Sequence, residues 1–346
     1  MTFTRSAPGR VPHHQVMGQL KRQLGRIAEV IPLSQPIVYL DYPVHNNVGD
    51  LLIHQGADAF LEDYGYNVLG RFSMHDFGLR SGIGEPKVTL KPSIKELDSL
   101  LGWRDCLLVL HGGGNIGDIW PHFQMFREMI VERYRNTRIF VLPQSIHFNN
   151  SRARERAARI FAAHPQLYIF VRDAESLTFV RDHCGVAGEI MPDMAHQLWG
   201  RPEFAPHVAD GRLGELVMRR RDKESANPGD RKISSFDWED LNGAASNFAL
   251  RGLRKLQTID SPLRHWVSNY QLWRMYRDRI IGRAVDSFRP YSCINTDRLH
   301  GMILGALMGK KVRYGEGTYG KLHRYAQLWL ADSLLIERQL SDHAAA

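Results

Sequence analysis

Short apolar and β-branched runs recur through the first part of the chain, and between them the apolar positions change to a helical period. "IVYL" (37–40), "CLLVL" (106–110), "RIFVL" (138–142) and "LYIFV" (167–171) have the continuous hydrophobicity of strands buried on both faces, as in a parallel sheet. Between these runs, Phe123, Phe126, Ile130 and Tyr134 fall at helical spacing, and "SRARERAARIFAAH" is rich in helix formers. The alternation predicts a doubly wound α/β domain over 37–200, with "GEIMPDMAHQLWG" as its last strand and exit loop. "RPEFAPHVADGRLG" has the composition of a linker and opens a second, smaller domain, 201–346. There the pattern predicts a strand at "ELVMRR", a polar loop over 222–247, and a helix through Trp266, Tyr270, Trp273, Ile281 and Val285. A strand, loop, helix and strand follow in "YSCINTDRLHGMILGALMGKKVRYGEG". Residues 1–36 form an N-terminal extension, in which Val16, Leu20, Leu24, Ile27 and Val30 make one stripe of an amphipathic helix. Two Rossmann-like α/β domains facing across a cleft are therefore expected.

Four segments after predicted strands carry ligand-capable groups: Asn46 to Asp50, His111 to Asp118, Pro143 to His147, and Arg172 with Asp173. In a parallel sheet all four open on one edge, where α/β folds bind ligands. Asn46 and Asn47 offer neutral donors and acceptors, whereas Asp50 is expected first of all to cap the helix it begins. Gly113 and Gly114 let the backbone approach a ligand and, with Asn115, are suited to an anion-binding nest. Asp118 is a candidate ligand or the cap of the helix through Phe123, and "PQSIHF" adds Gln144 and His147. Farther on, "NTDRLHG" places Asp297, Arg298 and His300 in the first turn of a helix, where the dipole favours an anion and a histidine can exchange a proton. "YGEGTYGKLHRY" then feeds Lys321, His323 and Arg324 into a second helix start.

Charge and composition narrow the partners. The 346 residues carry a formal charge of +8, which suits anionic ligands, but no zinc-finger spacing, RNP-like pattern or recognition helix points to nucleic acid. HExxH, CxxC and paired-carboxylate spacings are missing, so no metal is expected. No apolar run approaches the roughly 20 residues of a membrane span, and the N-terminus lacks the apolar core of a secretory signal. With three cysteines and no pairing motif, the chain reads as cytoplasmic with reduced thiols. The tandem His13-His14 reads as part of a disordered tail. The amphipathic helix is expected to pack on the first domain; the rival is peripheral contact of Lys21, Arg22 and Arg26 with the inner face of a membrane.

Taken in order, "NNVGD", "HGGGNIGD" with its following Trp120, "PQSIHF", "VRDAES", "TDRLHG" and "GKLHRY" resemble the polysaccharide pyruvyl transferase family, over residues 37 to 330. The resemblance implies a GT-B-like architecture, phosphoenolpyruvate as donor substrate with no separate cofactor, and a lipid-linked or polymeric saccharide as acceptor. It also implies a donor site with an arginine matching Arg172, a histidine matching His300 and a lysine placed at Lys321. His300 would then be the general acid toward the donor methylene, while Arg172 and Lys321 hold the carboxylate and phosphate. Asp118, Asp173 and Asp297 are candidates for the base. Family members often carry a "GQGIGP"-like segment where this chain has "PQSIHFNN", so His147 has no counterpart there. The rivals are a nucleotide-sugar glycosyltransferase and a non-catalytic anion-binding protein of a polysaccharide assembly complex. Against the first, no two of Glu215, Glu224, Glu239, Glu316 and Glu337 stand eight positions apart.

Overall fold

The computed structural model describes residues 9–77, 92–206, 210–221, 235–258, 269–315 and 320–339. Trp266, residues 222–234 of the expected polar loop and residues 316–319 lie outside them; the rest of that loop is a short 3-10 turn over Trp238–Leu241 and the start of a helix at Ala244. Helices α1 (His13–Leu24) and α2 (Ile27–Val30) precede an alternating series: β1 (Ile37–Leu40), α3 (Val48–Asp63), β2 (Val68–Phe72), α4 (Pro92–Trp103), β3 (Leu107–Leu110), β4 (Gly113–Gly117), α5 (Pro121–Arg133), β5 (Ile139–His147), α6 (Ser151–Ala162), β6 (Leu167–Val171), α7 (Ala174–Thr178) and β7 (Ala187–Ile190). These strands form a seven-stranded parallel sheet in the order β2-β1-β3-β5-β6-β7, with β4 on the outer half of β5. A second parallel sheet contains β8 (Leu213–Met218), β9 (Tyr291–Thr296), β10 (Lys311–Tyr314) and β11 (Ile336–Arg338), in the order β11-β10-β9-β8. Helices α8 (Ala244–Thr258), α9 (Asn269–Phe288), α10 (Leu299–Leu307) and α11 (Lys321–Trp329) complete that half.

Period-two alternation divides the core. Ile37, Tyr39, Leu107 and Val109 face one cluster, while Val38, Leu40, Leu108 and Leu110 face the other with α5 and α6. The first cluster runs on through α3 into α9, α10 and β9, so a continuous apolar interior joins the two sheets.

The N-terminal helix is part of that interior. Val16, Leu20, Leu24 and Ile27 are buried, Lys21 Nζ donates to the Trp199 carbonyl at 2.9 Å, and Arg26 reaches Glu189 at 3.4 Å. Residue 13 corrects the expectation of a disordered tail. His13 is buried, with Nε2 2.8 Å from the Ala306 carbonyl and Nδ1 2.7 Å from the Ser333 hydroxyl, so α1 clasps the second sheet as well as the first.

Two expected loops are strands. Gly113–Gly117 pairs with the end of β5, and that end is "PQSIH" itself. The glycines permit the pairing: a Cβ at Gly117, where φ is 142°, would lie 1.8 Å from the His147 carbonyl oxygen. The capping expectations also change. Asn47, not Asp50, caps α3 by accepting the Gly49 N–H, because it stands three residues earlier with extended backbone. Asp118 accepts the Asn149 and Asn150 N–H groups, and α5 begins with Pro121, so Asp118 ties β4 to the exit of β5 and caps nothing in α5.

The tightest helix contact gives a stability prediction. A Cβ at Gly56 in α3 would come within 2.1 Å of the Met194 carbonyl oxygen, a backbone atom. Gly56→Ala is expected to cost about 1–3 kcal/mol or more in urea unfolding, through overpacking. Gly252→Ala in α8 has nothing within 4 Å and serves as a neutral or slightly stabilising control. Equal midpoints for the two variants would refute this contact.

Candidate functional site

The C-terminal ends of β1 and β6, the first residues of β4 and the N-termini of α3, α10 and α11 open on a cavity of about 510 Å³. Arg172, directly after β6, is buried at one wall, with Nε donating to Ser145 Oγ at 3.2 Å and Nη1 paired with Asp193. Its carbonyl accepts the Trp329 indole N–H at 2.9 Å, so α11 fixes its backbone. A Cβ at Gly114 would lie 3.0 Å from Arg172 Nη2 and 3.3 Å from Lys321 Nζ. Two cations, one from each half of the fold, therefore converge over Gly114, and a side chain there would fill the space between them.

Asp193 links this wall to His300, whose Nε2 lies 3.3 Å from the same carboxylate. Burial alone would raise the Asp193 carboxyl, but Arg172, His300 and the Ala195 N–H hold it well below the usual carboxylate range. An ionised carboxylate only accepts, so the His300 Nε2–H donates to it and Nδ1 is the ring nitrogen turned away from Asp193. Nδ1 lies against α3: a Cβ at Gly49 would approach it to 2.6 Å. Asp193 also accepts the Ala195 N–H, and its own N–H donates to Tyr325 Oη at 2.9 Å. Its signal in the sequence is faint, a single aspartate after proline in an exit loop.

His300, Arg172, Lys321, Asn47, Asp50, Gly114, Asn115 and Arg298 all line the cavity. Arg298 does so with its charge already matched, since its guanidinium grips buried Asp237 with Nη2 at 2.7 Å. It occupies the N-cap position of α10 without a side-chain capping bond, so Arg298 and Asp297 both precede the first turn in which they were expected. Gly113, Asp118, Gln144 and His147 are not among the lining residues. Gln144 is buried beneath them, donating to the His111 carbonyl at 2.9 Å and Asn115 Oδ1 at 3.2 Å, which positions Asn115. His147 lies 3.1 Å from Asn149 Oδ1. Of the aspartates considered as bases, Asp173 caps α7, Asp118 holds the β5 exit, and Asp297 accepts the Arg220 N–H. The aspartate that does line the cavity is Asp50, 3.5 Å from His45. Arg324 turns away to Glu175.

The other end of the cavity is aromatic and imidazole-rich, with His45, His75, Trp120, His122 and Phe123 beside Arg254. Burial pushes all three histidines down, His75 to about 3, and Arg254 adds to the effect on His45 and His75. Among the described residues no group of three or more His, Cys, Asp or Glu is arranged to hold a metal.

Comparison with known proteins gives the family. The sequence pattern of the family described as "Polysaccharide pyruvyl transferase" matches residues 47–314. The chain belongs to that family. It is thus a pyruvyl transferase, and the family title implies a polysaccharide acceptor. It is 31% identical over 319 residues to a Bacillus subtilis (strain 168) protein whose name places it among pyruvyl transferases, EpsO, covering 91% of each chain. Pyruvyl transferase 1 of Schizosaccharomyces pombe is 24% identical over 313 residues, 85% of this chain and 69% of that one. A crystal structure of a functionally uncharacterised Klebsiella pneumoniae protein shares the fold, with a TM-score of 0.59 at 14% identity over 93% of this chain and 99% of that one. No helix among the described residues of this transferase is long and apolar enough to cross a membrane.

The buried histidines predict acid lability. Burial lowers His54 and His75 to about 3 and His196 to about 4. Because these folded values lie below the unfolded value, the unfolded chain binds protons first, and stability is lost as pH falls below about 6.5. Each fully buried histidine adds a slope of up to about 1.4 kcal/mol per pH unit until its folded value is reached. Urea midpoints measured from pH 7.5 to 4.5 should fall steeply below 6.5; a flat profile would contradict the neutral buried state.

Proposed function

We propose that the cavity binds phosphoenolpyruvate and transfers its pyruvyl unit to a hexose of an exopolysaccharide or cell-wall glycan precursor, closing a pyruvate ketal and releasing phosphate. The observation that carries this reading is the convergence of Arg172 and Lys321 over Gly114, with His300 joined to Arg172 through Asp193. A donor with a carboxylate and a phosphate needs two fixed cations and a nearby proton source, and a pyruvyl transferase needs such a donor. The two parallel sheets and the cavity between them fit a GT-B-like division of labour, with the donor cations on one side and neutral groups for the acceptor on the other. The reaction then runs in the cytoplasm on a lipid-linked or polymeric acceptor.

In this scheme His300 gives the proton on Nδ1 to the methylene carbon of the donor, and C2 becomes an oxocarbenium-like centre. A sugar hydroxyl adds to C2 and loses its proton to Asp50. Phosphate leaves by C2–O cleavage, taking the bridging oxygen and the proton that Asp50 received, which restores the carboxylate, while Arg172 and Lys321 stabilise its charge. A second hydroxyl then adds to C2 and returns a proton to His300. One donor and one diol give one ketal and one phosphate. Asn47, fixed as the α3 cap, and Asn115, fixed by Gln144, are placed to orient hydroxyls.

Two variants separate the roles. Lys321→Ala should raise the donor KM about ten- to hundredfold, the loss of a charge-assisted contact worth about 1.5–3 kcal/mol. His300→Gln should instead lower kcat by about 10²–10⁴ with little change in donor binding. Phosphate release from phosphoenolpyruvate and the mass of the product are the readouts. Wild-type kinetics in both variants would sink the assignment.

A further inference from the structure

We propose that Arg254 marks a second anion subsite in the cavity, one that takes an acidic group carried by the acceptor saccharide, either a sugar carboxylate or a phosphate at its reducing end. The word acceptor rests on the transfer reading above; the anion site itself rests on geometry. Arg254 comes from α8 to line the cavity, and its Nε donates to the Val44 carbonyl at 2.9 Å, which pins the side chain beside the loop before α3. One contact uses one of five N–H donors. Arg172 and Arg298 have Asp193 and Asp237, but among the described residues no carboxylate pairs with Arg254. Of its neighbours in the wall, His45 and His75 are pushed toward the neutral form by burial, and the two carboxylates that line the same cavity, Asp50 and Glu239, form no ion pair with it, Asp50 standing 3.5 Å from His45. A half-buried guanidinium without a counter-ion is costly, so an anion from outside the chain fits it better than a polar neutral group does.

Position separates this subsite from the donor cations. His75 follows β2 and Val44 follows β1, whereas Arg172 follows β6, three strand spacings from β1 in the sheet order. At about 4.8 Å per spacing the strands that carry the two poles stand roughly 14 Å apart along the edge, so a three-carbon donor held between Arg172 and Lys321 leaves the far side of the cavity to another group. The Trp120, His122 and Phe123 surface lines the same cavity, so a sugar lying on it could reach Gly114 with its hydroxyls and Arg254 with an acidic group.

The test is titration calorimetry on the full chain with hexopyranoses presented three ways: as methyl glycoside, as the matching uronide, and as the 1-diphosphate. The wild type should bind one acidic form at least tenfold more tightly than the methyl glycoside. A uronide preference identifies an acidic sugar, and a diphosphate preference identifies the reducing-end anchor. Arg254→Gln should bring acidic and neutral forms to parity, Arg254→Lys should restore part of the preference, and Lys321→Gln should leave it intact. Melting temperatures establish that each variant is folded. No acidic preference in the wild type, or equal loss for neutral and acidic forms in Arg254→Gln, overturns the proposal and leaves Arg254 as a strut to Val44. Binding is read without phosphoenolpyruvate, so absent phosphate release would refute the transfer reading alone.

Discussion

The Asp193 carboxylate holds the rest of the site in place. It is fully buried, binds Arg172 from the first sheet and His300 from the helix after β9, and its backbone N–H reaches Tyr325 on α11. Moving a carboxylate and a guanidinium out of water costs several kcal/mol per ion, so the pair is a poor source of net stability. Its value is positional. With its acceptor capacity directed to a guanidinium, an imidazole and the Ala195 N–H, Asp193 leaves little freedom in how the two halves meet, and it fixes which ring nitrogen of His300 is turned away from it.

Much of the architecture was legible because it depends on period and composition. The runs at 37–40, 106–110, 138–142 and 167–171 are strands, and each alternates between two buried faces, as continuous hydrophobicity requires. Arg172, His300 and Lys321 were legible as ligand-capable groups at strand ends and helix starts, and they do share one cavity. What failed depends on a partner distant in sequence. Nothing local distinguishes a cap at Asn47 from one at Asp50, nor shows that Asp237 will neutralise Arg298. The glycines of "HGGGNIGD" read equally well as a loop or as a strand pressed against β5, and only the distance to His147 decides. Asp193 and Arg254 were missed for the same reason: their meaning lies in what faces them, or fails to, across the fold.

Behind Arg172 and Lys321 a strained residue supports the glycine strand. Asp41, at the end of β1, has φ 67°, a left-handed conformation that costs a non-glycine residue of order 1 kcal/mol or more and persists only where neighbours over-determine it. Here the neighbour is Arg127 on α5, also buried, 2.7 Å from the Asp41 carboxylate and donating through Nη1 to the Asn115 carbonyl at 3.3 Å. Burial pushes Asp41 up to about 6 and Arg127 pulls against it, so the pair is charged only because each supplies the other's counter-ion. The chain of contacts runs from a strained strand end, through a buried arginine, to the backbone beside Gly114. A glycine has no side chain with which to anchor itself, and the floor beneath Arg172 and Lys321 must be rigid if two cations are to hold one anion between them. Asp41, Arg127 and Gln144 supply that rigidity from below, where they cannot compete for the ligand.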